Sequence, residues 1–375
     1  MTGSVVVAGA VARRIGYGGH VWALLQWALG FRRMGWSVLF LDRLDPAPDQ
    51  RGSAHVRSFV EVMEAFGLGG RFALDLGDGA EPIGLSRAAV LRELGDADFL
   101  LNVMGYLEDP ELRARARRRV FLDIDPGFGQ MWRALGLCDL FAGHDAFATV
   151  GTGVGREGCL IPTCGLPWVT TLPPVVLDEW GASGARGERF TSVGSWRGPW
   201  APVEYEGRRY GLRAHEFRAF TRVPRDSGLG FEMALDIDAA DAPDAERLVG
   251  GGWRLSDPRE VSGSPDAYRS YVRGSRAEFG IAKEMYVRAR SGWVSDRTAC
   301  YLAAGRPAVV QDTGLDGLLE TGQGLLTFTT PEEAVHAART VDGDWPRHAR
   351  AARALAAERF DSGRVLRRLA EAVAA

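Results

Sequence analysis

The sequence predicts an α/β protein made of two doubly wound domains that face each other across a cleft. Its 375 residues are too many for one ordinary hydrophobic core. Short apolar runs alternate with amphipathic stretches, which is the pattern of parallel strands covered by helices. A segment rich in proline and glycine interrupts this pattern once, and the pattern then starts again.

The first half of the chain has the first series of strands and helices. Apolar residues recur at helical spacing after residue 20, and continuous apolar runs indicate buried strands. The predicted strands are residues 5–8, 37–41, 72–76, 99–103 and 120–122. The predicted helices are residues 20–33, 56–66, 86–94 and 111–118. We assign residues 1–170 to an N-terminal domain and residues 171–187, which include Pro173 and Pro174, to a linker.

The second half repeats the pattern. The predicted strands are residues 189–194, 230–237, 253–255, 279–282, 307–310 and 324–328. The predicted helices are residues 244–249, 266–275, 295–304 and 331–341. We assign residues 188–345 to the second domain and residues 346–375 to helices that cross back to the first. Sheets of this kind bind ligands at the carboxyl ends of their strands, so we expect the site in the cleft.

Composition excludes several classes of protein. The formal net charge of −3 gives no basic field for nucleic acid or for an acidic membrane surface. The four cysteines form no C-x-x-C pair, which argues against structural zinc and favours reduced thiols in a cytoplasmic protein. We expect no signal peptide and no membrane span. The oligomeric state stays open, a homodimer included.

Residues 290–310 carry the strongest functional pattern. A loop with Gly292 leads into a helix that is predicted to begin near Ser295. The first N–H groups of a helix lack intrahelical partners and lie at the positive end of its dipole, which makes them a site for phosphate. Arg290 and Arg297 can add charged hydrogen bonds. The alternative is an ordinary helix cap at Ser295.

This segment resembles the donor-binding signature of family-1 glycosyltransferases, H-C/G-G-W-N-S-x-x-E-x-L-x-x-G-x-P. The matching residues are Gly292, Trp293, Ser295, Leu302, Gly305 and Pro307. Arg290 replaces the phosphate-contacting histidine, and Thr298 replaces the glutamate that holds the ribose. The resemblance implies the GT-B fold with the donor in the second domain, where Asp296 lies beside Ser295. Asp312 or Asp316 is the nearest counterpart of the acidic residue that holds the donor sugar.

Gly18, Gly19 and His20 follow the first strand and resemble the G-H-x-x-P-x-L segment of the same family. The resemblance implies that His20 is the general base of an inverting reaction. Histidine suits this role because its ordinary pKa is near 6.5 and a helix N-terminus disfavours its charged form. The alternative is that His20 only caps its helix.

Asp123 and Asp125 end a predicted strand on the cleft side, and either of them could orient the histidine. The pair also spells D-x-D, the metal-binding motif of the other large glycosyltransferase fold. Because the GT-B resemblance needs no metal, we expect neither a metal nor any other cofactor. A helix cap is a further reading of Asp125.

Gly194 and Ser195 end the first strand of the second domain and resemble the family's loop against the donor diphosphate, with Arg197 within reach. Lys283 could neutralise the diphosphate or lie at the surface. Tyr106 and Phe128 could line the acceptor site with Gly18 and Gly19, although aromatic residues at such spacing are more often core.

These features predict a metal-independent, inverting glycosyltransferase. Its donor would be a UDP- or TDP-sugar, and its acceptor a hydroxyl of a small molecule, a natural product. Two alternatives stay open. One is a sugar-nucleotide epimerase or a retaining transferase on the same fold. The other is a nucleotide- or carbohydrate-binding protein without catalysis.

Overall fold

The computed structural model describes residues 3–47, 49–77, 79–181 and 186–374. The chain forms two large sheets of mainly parallel strands with helices on their faces, which confirms the predicted α/β class. Among the helices of these residues, none is long and apolar enough to cross a membrane.

The first sheet has the strand order β4-β3-β2-β1-β5-β6-β7-β8. Every neighbouring pair is parallel except β3 and β4, which are antiparallel. Its strands are β1 (Ser4–Ala8), β2 (Ser37–Arg43), β3 (Phe72–Asp75), β4 (Ile83–Gly84), β5 (Phe99–Val103), β6 (Arg119–Asp123), β7 (Ala146–Thr149) and β8 (Trp168–Thr170). Its central strands β1, β5 and β6 are buried apart from the first residues of β1 and β6, as their continuous apolar sequences predict.

The helices of the first domain begin at residues typical of helix starts. The hydroxyls of Ser53 and Ser86 accept hydrogen bonds from Val56 N and Ala89 N, and Asp109 caps a helix whose first residue is proline. The helices are α1 (Gly18–Arg33), α2 (Ala54–Ala65), α3 (Arg87–Asp96), α4 (Pro110–Arg115) and α5 (Phe128–Ala134).

The second sheet is fully parallel and has the order β13-β12-β9-β14-β15-β16. In chain order this is 3-2-1-4-5-6, the arrangement of dinucleotide-binding folds. Its strands are β9 (Phe190–Ser195), β12 (Phe231–Asp236), β13 (Trp253–Ser256), β14 (Ala277–Gly280), β15 (Ala308–Gln311) and β16 (Leu325–Phe328). The switch point between β9 and β14 places the carboxyl ends of both strands at the cleft.

The second domain has an insertion between β9 and β12. It contains the antiparallel hairpin of β10 (Val203–Tyr205) and β11 (Arg208–Tyr210), which packs against α5 of the first domain. The helices are α6 (Arg213–Phe217), α7 (Val223–Ser227), α8 (Ala242–Gly250), α9 (Pro258–Ser262), α10 (Pro265–Gly274), α11 (Glu284–Arg288), α12 (Asp296–Ala303), α13 (Pro331–Gly343), α14 (Trp345–Leu355) and α15 (Ser362–Ala374).

The chain crosses between the domains twice, and the two crossings are hydrogen-bonded to each other. The backbone N–H of Val175 donates to Phe360 O at 2.8 Å, and the N–H of Ser362 donates to Val175 O at 3.0 Å. After this point α15 packs along α1 of the first domain. The C-terminal helix is therefore built into the first domain, although the chain reaches it from the second.

Candidate functional site

Helix α1 directly contacts the second domain. A side chain at Gly18 would overlap the carbonyl group of Ser264, and one at Gly19 would press on the ring of Tyr268. Trp22 Nε1 donates to Pro265 O at 2.9 Å. The two glycines therefore allow close packing of the domains, and Gly18 also borders a large cavity along α1, so their predicted role in acceptor binding stays a prediction.

The loop of the predicted donor signature also docks the first domain. Gly151 and Trp293 form an isolated antiparallel bridge, and Thr152 Oγ1 donates to Gly292 O at 2.6 Å. Gly292 has φ +64, and a side chain there would meet the hydroxyl of Thr152. Gly292 and Trp293 thus belong to a domain contact. The prediction that they hold phosphate is not supported.

Arg290 and Asp316 lie away from the strand ends at the switch point. They border a separate cavity of about 390 Å³ together with residues 153–159 of the first domain. Asp312 closes a turn, because its Oδ1 accepts hydrogen bonds from Gly314 N and Leu315 N, both at 3.0 Å. Arg290 and Asp316 therefore border a cavity that contains no other predicted donor-binding residue, and the visible role of Asp312 is to close a turn.

Helix α12 begins at Asp296, as the sequence predicts, but side chains of the protein itself, those of Ser295 and Asp296, lie at its N-terminus. The hydroxyl of Ser295 accepts a hydrogen bond from Arg297 N at 3.2 Å. Ser295 is therefore a helix cap, which was the alternative to phosphate binding. Asp296 puts a carboxyl group in the first turn, and burial raises its pKa. Arg297 is buried and donates to Glu278 Oε1 at 2.7 Å and to Val193 O at 2.8 Å. Its charge is therefore balanced by Glu278, which corrects its predicted role as a free phosphate ligand.

Arg213 is a cation that the sequence analysis missed. Its guanidinium lies over Gly194, where any side chain would overlap it, and its NH1 donates to Ser195 O at 3.3 Å. Within the described residues it forms no salt bridge, and its Nε is buried without a hydrogen-bond partner. Burial, and then the nearby Arg297, lower the pKa of Arg213 to about 10. The group remains charged at neutral pH, and no carboxylate of the described residues lies within salt-bridge distance of it.

The absence of a side chain at Gly194 explains this arrangement. A glycine at the end of β9 permits close approach, as predicted, but the group that approaches is Arg213 and not a ligand. The sequence contains one signal for Arg213, which is the insertion after Gly194. An insertion that starts at the end of a strand brings its own side chains back to that strand end. The signal does not identify which of its arginines returns.

Asp125 of the first domain is held by three residues of the second. Its Oδ2 accepts hydrogen bonds from Lys283 Nζ at 2.5 Å and from Trp200 Nε1 at 3.1 Å, and its Oδ1 accepts one from Tyr286 OH. Burial lowers the pKa of Lys283, while the charge of Asp125 opposes that shift. Lys283 is therefore part of a domain-bridging ion pair.

Asp123 is buried and turned into the first domain. Gln130 Nε2 and Thr149 Oγ1 donate to its Oδ2 at 2.7 and 2.9 Å, and burial raises its pKa to about 6. Both carboxylates of the D-x-D sequence are thus engaged, and neither accepts a hydrogen bond from His20 in the described structure. The prediction that one of them orients His20 is wrong in this conformation.

His20 is tied to the loop that follows β1. Its Nε2 lies 2.8 Å from Ala10 O, so the proton on this nitrogen leaves Nδ1 as the acceptor. Burial lowers its pKa, which keeps the imidazole neutral. His55 holds the same loop, with Nδ1 2.8 Å from Ala12 O. A third group, Asp42, accepts hydrogen bonds from the N–H groups of Val11 and Ala12.

Two large cavities meet at residues 14, 15, 17 and 55. The helix groove, of about 800 Å³, runs along α1 between α2 and the start of α10. The strand-end cavity, of about 760 Å³, lies between residues 13–17 and the carboxyl ends of β9 and β12. His55 borders both cavities, whereas His20, Tyr106 and Phe128 border neither.

The strand-end cavity contains two of the predicted donor-binding residues. Ser195 borders it, and Arg197 borders it while forming a bidentate pair with Asp241 at 2.5 and 2.6 Å. Phe128 is instead buried against Trp132 and Trp200, with its ring 5.0 Å from Lys283 Nζ. Phe128 therefore has the core role that was the alternative to acceptor binding. The site thus consists of Gly194, Ser195 and Arg213 at the end of β9, where Ser195 borders the strand-end cavity.

Known proteins resemble this chain in part of its sequence and in its whole fold. Residues 237–372 match a family model described as glycosyl transferase-like. No curated protein sequence matches the chain. One similar solved structure is an alpha-glucosyltransferase in complex with UDP-glucose and DNA containing an abasic site, with a TM-score of 0.63, 12% identity and 100% of both chains covered.

Two further structures extend the comparison. HepE from Anabaena, in complex with UDP, has a TM-score of 0.56, 12% identity and 99% of each chain covered. Sucrose-phosphate synthase from Thermosynechococcus elongatus has a TM-score of 0.53 and 8% identity, with 99% of this chain and 98% of that chain covered. At such identities the structures show a shared fold, and the family model covers residues 237–372 alone. The chain therefore has the fold of these GT-B glycosyltransferases, and its residues 237–372 resemble a glycosyl transferase-like family.

Proposed function

We propose that the protein transfers a sugar from a nucleotide diphosphate sugar, UDP-linked or TDP-linked, to a hydroxyl group of a small molecule. The observation that carries this proposal is Arg213, a half-buried guanidinium at the end of β9 that forms no salt bridge with the described residues and whose Nε is buried without a hydrogen-bond partner. An uncompensated buried charge is costly, so a site that keeps one is suited to an anionic ligand. A diphosphate at the strand ends would supply the missing charge.

Catalysis then follows from charge development in the leaving group. When the bond between the anomeric carbon and the diphosphate breaks, negative charge grows on the phosphate oxygens. A fixed cation such as Arg213 stabilises that charge more than it stabilises the bound donor. Ser195, beside it, can donate a further hydrogen bond. The proposed displacement is metal-independent and inverting, with a neutral histidine accepting the proton of the attacking hydroxyl.

The helix groove is suited to the acceptor. Its volume of about 800 Å³ falls in the usual range for small-molecule sites, and apolar side chains of α1 and α2 form part of its wall. The net charge of −3 gives no basic field for DNA, which is present in the complex of the similar alpha-glucosyltransferase. We therefore retain a small molecule, a natural product, as the acceptor. The four cysteines are free, in agreement with a reducing, cytoplasmic compartment.

Calorimetry with UDP, dTDP, GDP and ADP tests the binding part of the proposal. Wild-type protein should bind UDP or dTDP, and Arg213→Gln should weaken that binding about tenfold to a hundredfold, the value of a charged hydrogen bond. Arg222→Gln is the matched control, since Arg222 is exposed and forms a salt bridge with Asp226. Equal affinity in the wild type and Arg213→Gln would contradict the proposal.

Turnover separates the remaining alternatives. Slow hydrolysis of the donor sugar without an acceptor is expected from a transferase and excludes a protein that only binds nucleotide. Proton NMR of the released sugar gives its first-formed anomer, and inversion is expected. Retention would favour a retaining transferase on the same fold, and isomerised nucleotide sugar would favour an epimerase.

A further inference from the structure

The strand-end cavity is bordered by the carboxylate of Asp236, which lies at the end of a strand next to the proposed diphosphate site. Asp236 is the last residue of β12 and lies in register with Ser195, the last residue of β9. Both residues border the cavity. Adjacent strands lie about 4.8 Å apart, so this carboxylate is next to the proposed diphosphate site.

The hydrogen bonds of Asp236 leave room for a ligand. Its Oδ2 accepts one from Tyr17 OH of the first domain at 3.2 Å, and its Oδ1 accepts none from the described residues. No salt bridge to Asp236 is present in that part of the chain. The carboxylate is thus half-buried at the cavity wall with one oxygen available to a hydroxyl donor.

The other carboxylates of this cavity are less suitable. Asp241 is engaged by both nitrogens of Arg197. Asp238 is exposed, and its Oδ1 accepts from Ala240 N at 2.8 Å to cap a short helical turn. Helix α12 does not offer an alternative near its start, because Thr298 is buried and Asp296 occupies the first turn.

The strand order gives Asp236 a functional meaning. In folds with the order 3-2-1-4-5-6, phosphates bind after the first strand, and an acidic residue after the second strand takes the ribose 2′-hydroxyl. Here β9 is the first strand, with Gly194, Ser195 and Arg213 at its end, and β12 is the second, with Asp236 at its end. The inserted hairpin lengthens the chain between these positions without changing their places in the sheet.

We infer that Asp236 accepts a hydrogen bond from the 2′-hydroxyl of the donor ribose, so that ribonucleotide donors such as UDP-sugars are preferred over 2′-deoxyribonucleotide donors such as TDP-sugars. This inference rests on the proposed function, and it selects between the two donor classes. The nucleotide lies across the ends of β9 and β12, with its diphosphate at Arg213 and its ribose at Asp236. Tyr17 holds the carboxylate from the opposite domain.

The test compares two nucleotides that differ by a single hydroxyl. Calorimetry should give about tenfold or greater tighter binding of UDP than of 2′-deoxyuridine diphosphate to the wild type, because the analogue leaves the carboxylate without a partner. Asp236→Asn should reduce this ratio towards one. Asp238→Asn, which removes the same charge two residues away, should keep the ratio.

The outcomes distinguish this inference from the proposed function. Equal affinity of the wild type for both nucleotides overturns the inference, and so does a preference that survives in Asp236→Asn. The first of these results needs no variant and therefore does not depend on how the substitution affects folding. Failure of the wild type to bind any nucleoside diphosphate would contradict the proposed function itself, and the inference would fail with it.

Discussion

The guanidinium of Arg213 occupies the space that the missing side chain of Gly194 leaves open. These two residues lie on different elements, α6 and β9, and they meet at the carboxyl end of the central strand. The glycine is required by its neighbour rather than by a turn, since it is not among the residues with positive φ. The guanidinium of Arg213 can occupy this position only because residue 194 has a hydrogen atom in place of a side chain.

Gly194→Ala should therefore displace Arg213 and weaken UDP binding by about tenfold or more. The new methyl group would overlap the guanidinium, which must leave the strand end. Calorimetry gives the affinity, and circular dichroism checks the fold. Gly274→Ala is the control, because a side chain there meets no atom within 4 Å, and UDP affinity should be unchanged. Unchanged affinity in Gly194→Ala would show that the cation does not act at this place.

Asp125→Asn should lower the free energy of unfolding by about 3–5 kcal/mol, because it leaves the mostly buried Lys283 without its counter-ion. Urea denaturation measures the loss. Asp226→Asn, at an exposed pair, should cost no more than about 1 kcal/mol. The double variant Asp125→Asn with Lys283→Met should recover part of the loss. A strictly additive double variant would contradict a direct interaction.

His20→Ala should lower kcat by about 10²–10⁴-fold while UDP affinity stays near that of the wild type, if His20 is the general base. Burial lowers its pKa, so the activity of the wild type should fall only below the ordinary value near 6.5, where the imidazole gains a proton. The pH profile of kcat checks this limb, which should vanish in the variant.

His55→Ala is the informative comparison for that experiment. Both histidines hold carbonyl groups of the same loop, so a purely structural role would give similar losses in the two variants. His55 borders both cavities, whereas His20 does not. A loss of kcat confined to His55→Ala would move the role of general base to His55.

Chelation by EDTA should leave turnover intact. The oxygens of Asp123 accept hydrogen bonds from Gln130, Thr149 and the backbone of Asp125, and those of Asp125 are held by second-domain donors. A metal ion would have to displace these partners. Initial rates with and without EDTA provide the measurement, with Mn²⁺ added back as the control. Activity that is lost and then restored by Mn²⁺ would contradict the prediction.

The fold was predictable because its signals are local. Buried parallel strands read as apolar runs, and the start of α12 follows from Ser295 as its cap. Strands β7 and β8, of four and three residues, are too short to show the apolar pattern that identifies a strand in the sequence. The hairpin β10–β11 was missed for the same reason.

The site was less predictable because its decisive contacts are distant in sequence. Asp125 and Lys283 are 158 residues apart, and nothing in either segment indicates the pairing. In the sequence Arg297 is a reasonable phosphate ligand, but in the folded chain its charge is neutralised by Glu278. Arg213 carried no motif at all. Charge balance at a buried position is a property of the folded chain, and sequence patterns do not contain it.

The paired crossings at Val175 and Phe360 limit how the two halves can move. Two strands of chain joined side by side resist twisting about their length more than a single strand does. The paired segments still permit bending, so they can act as a hinge between the two domains. Any separation of the two domains must break the contacts that Tyr17, Trp22, Asp125 and Thr152 of the first domain make with the second.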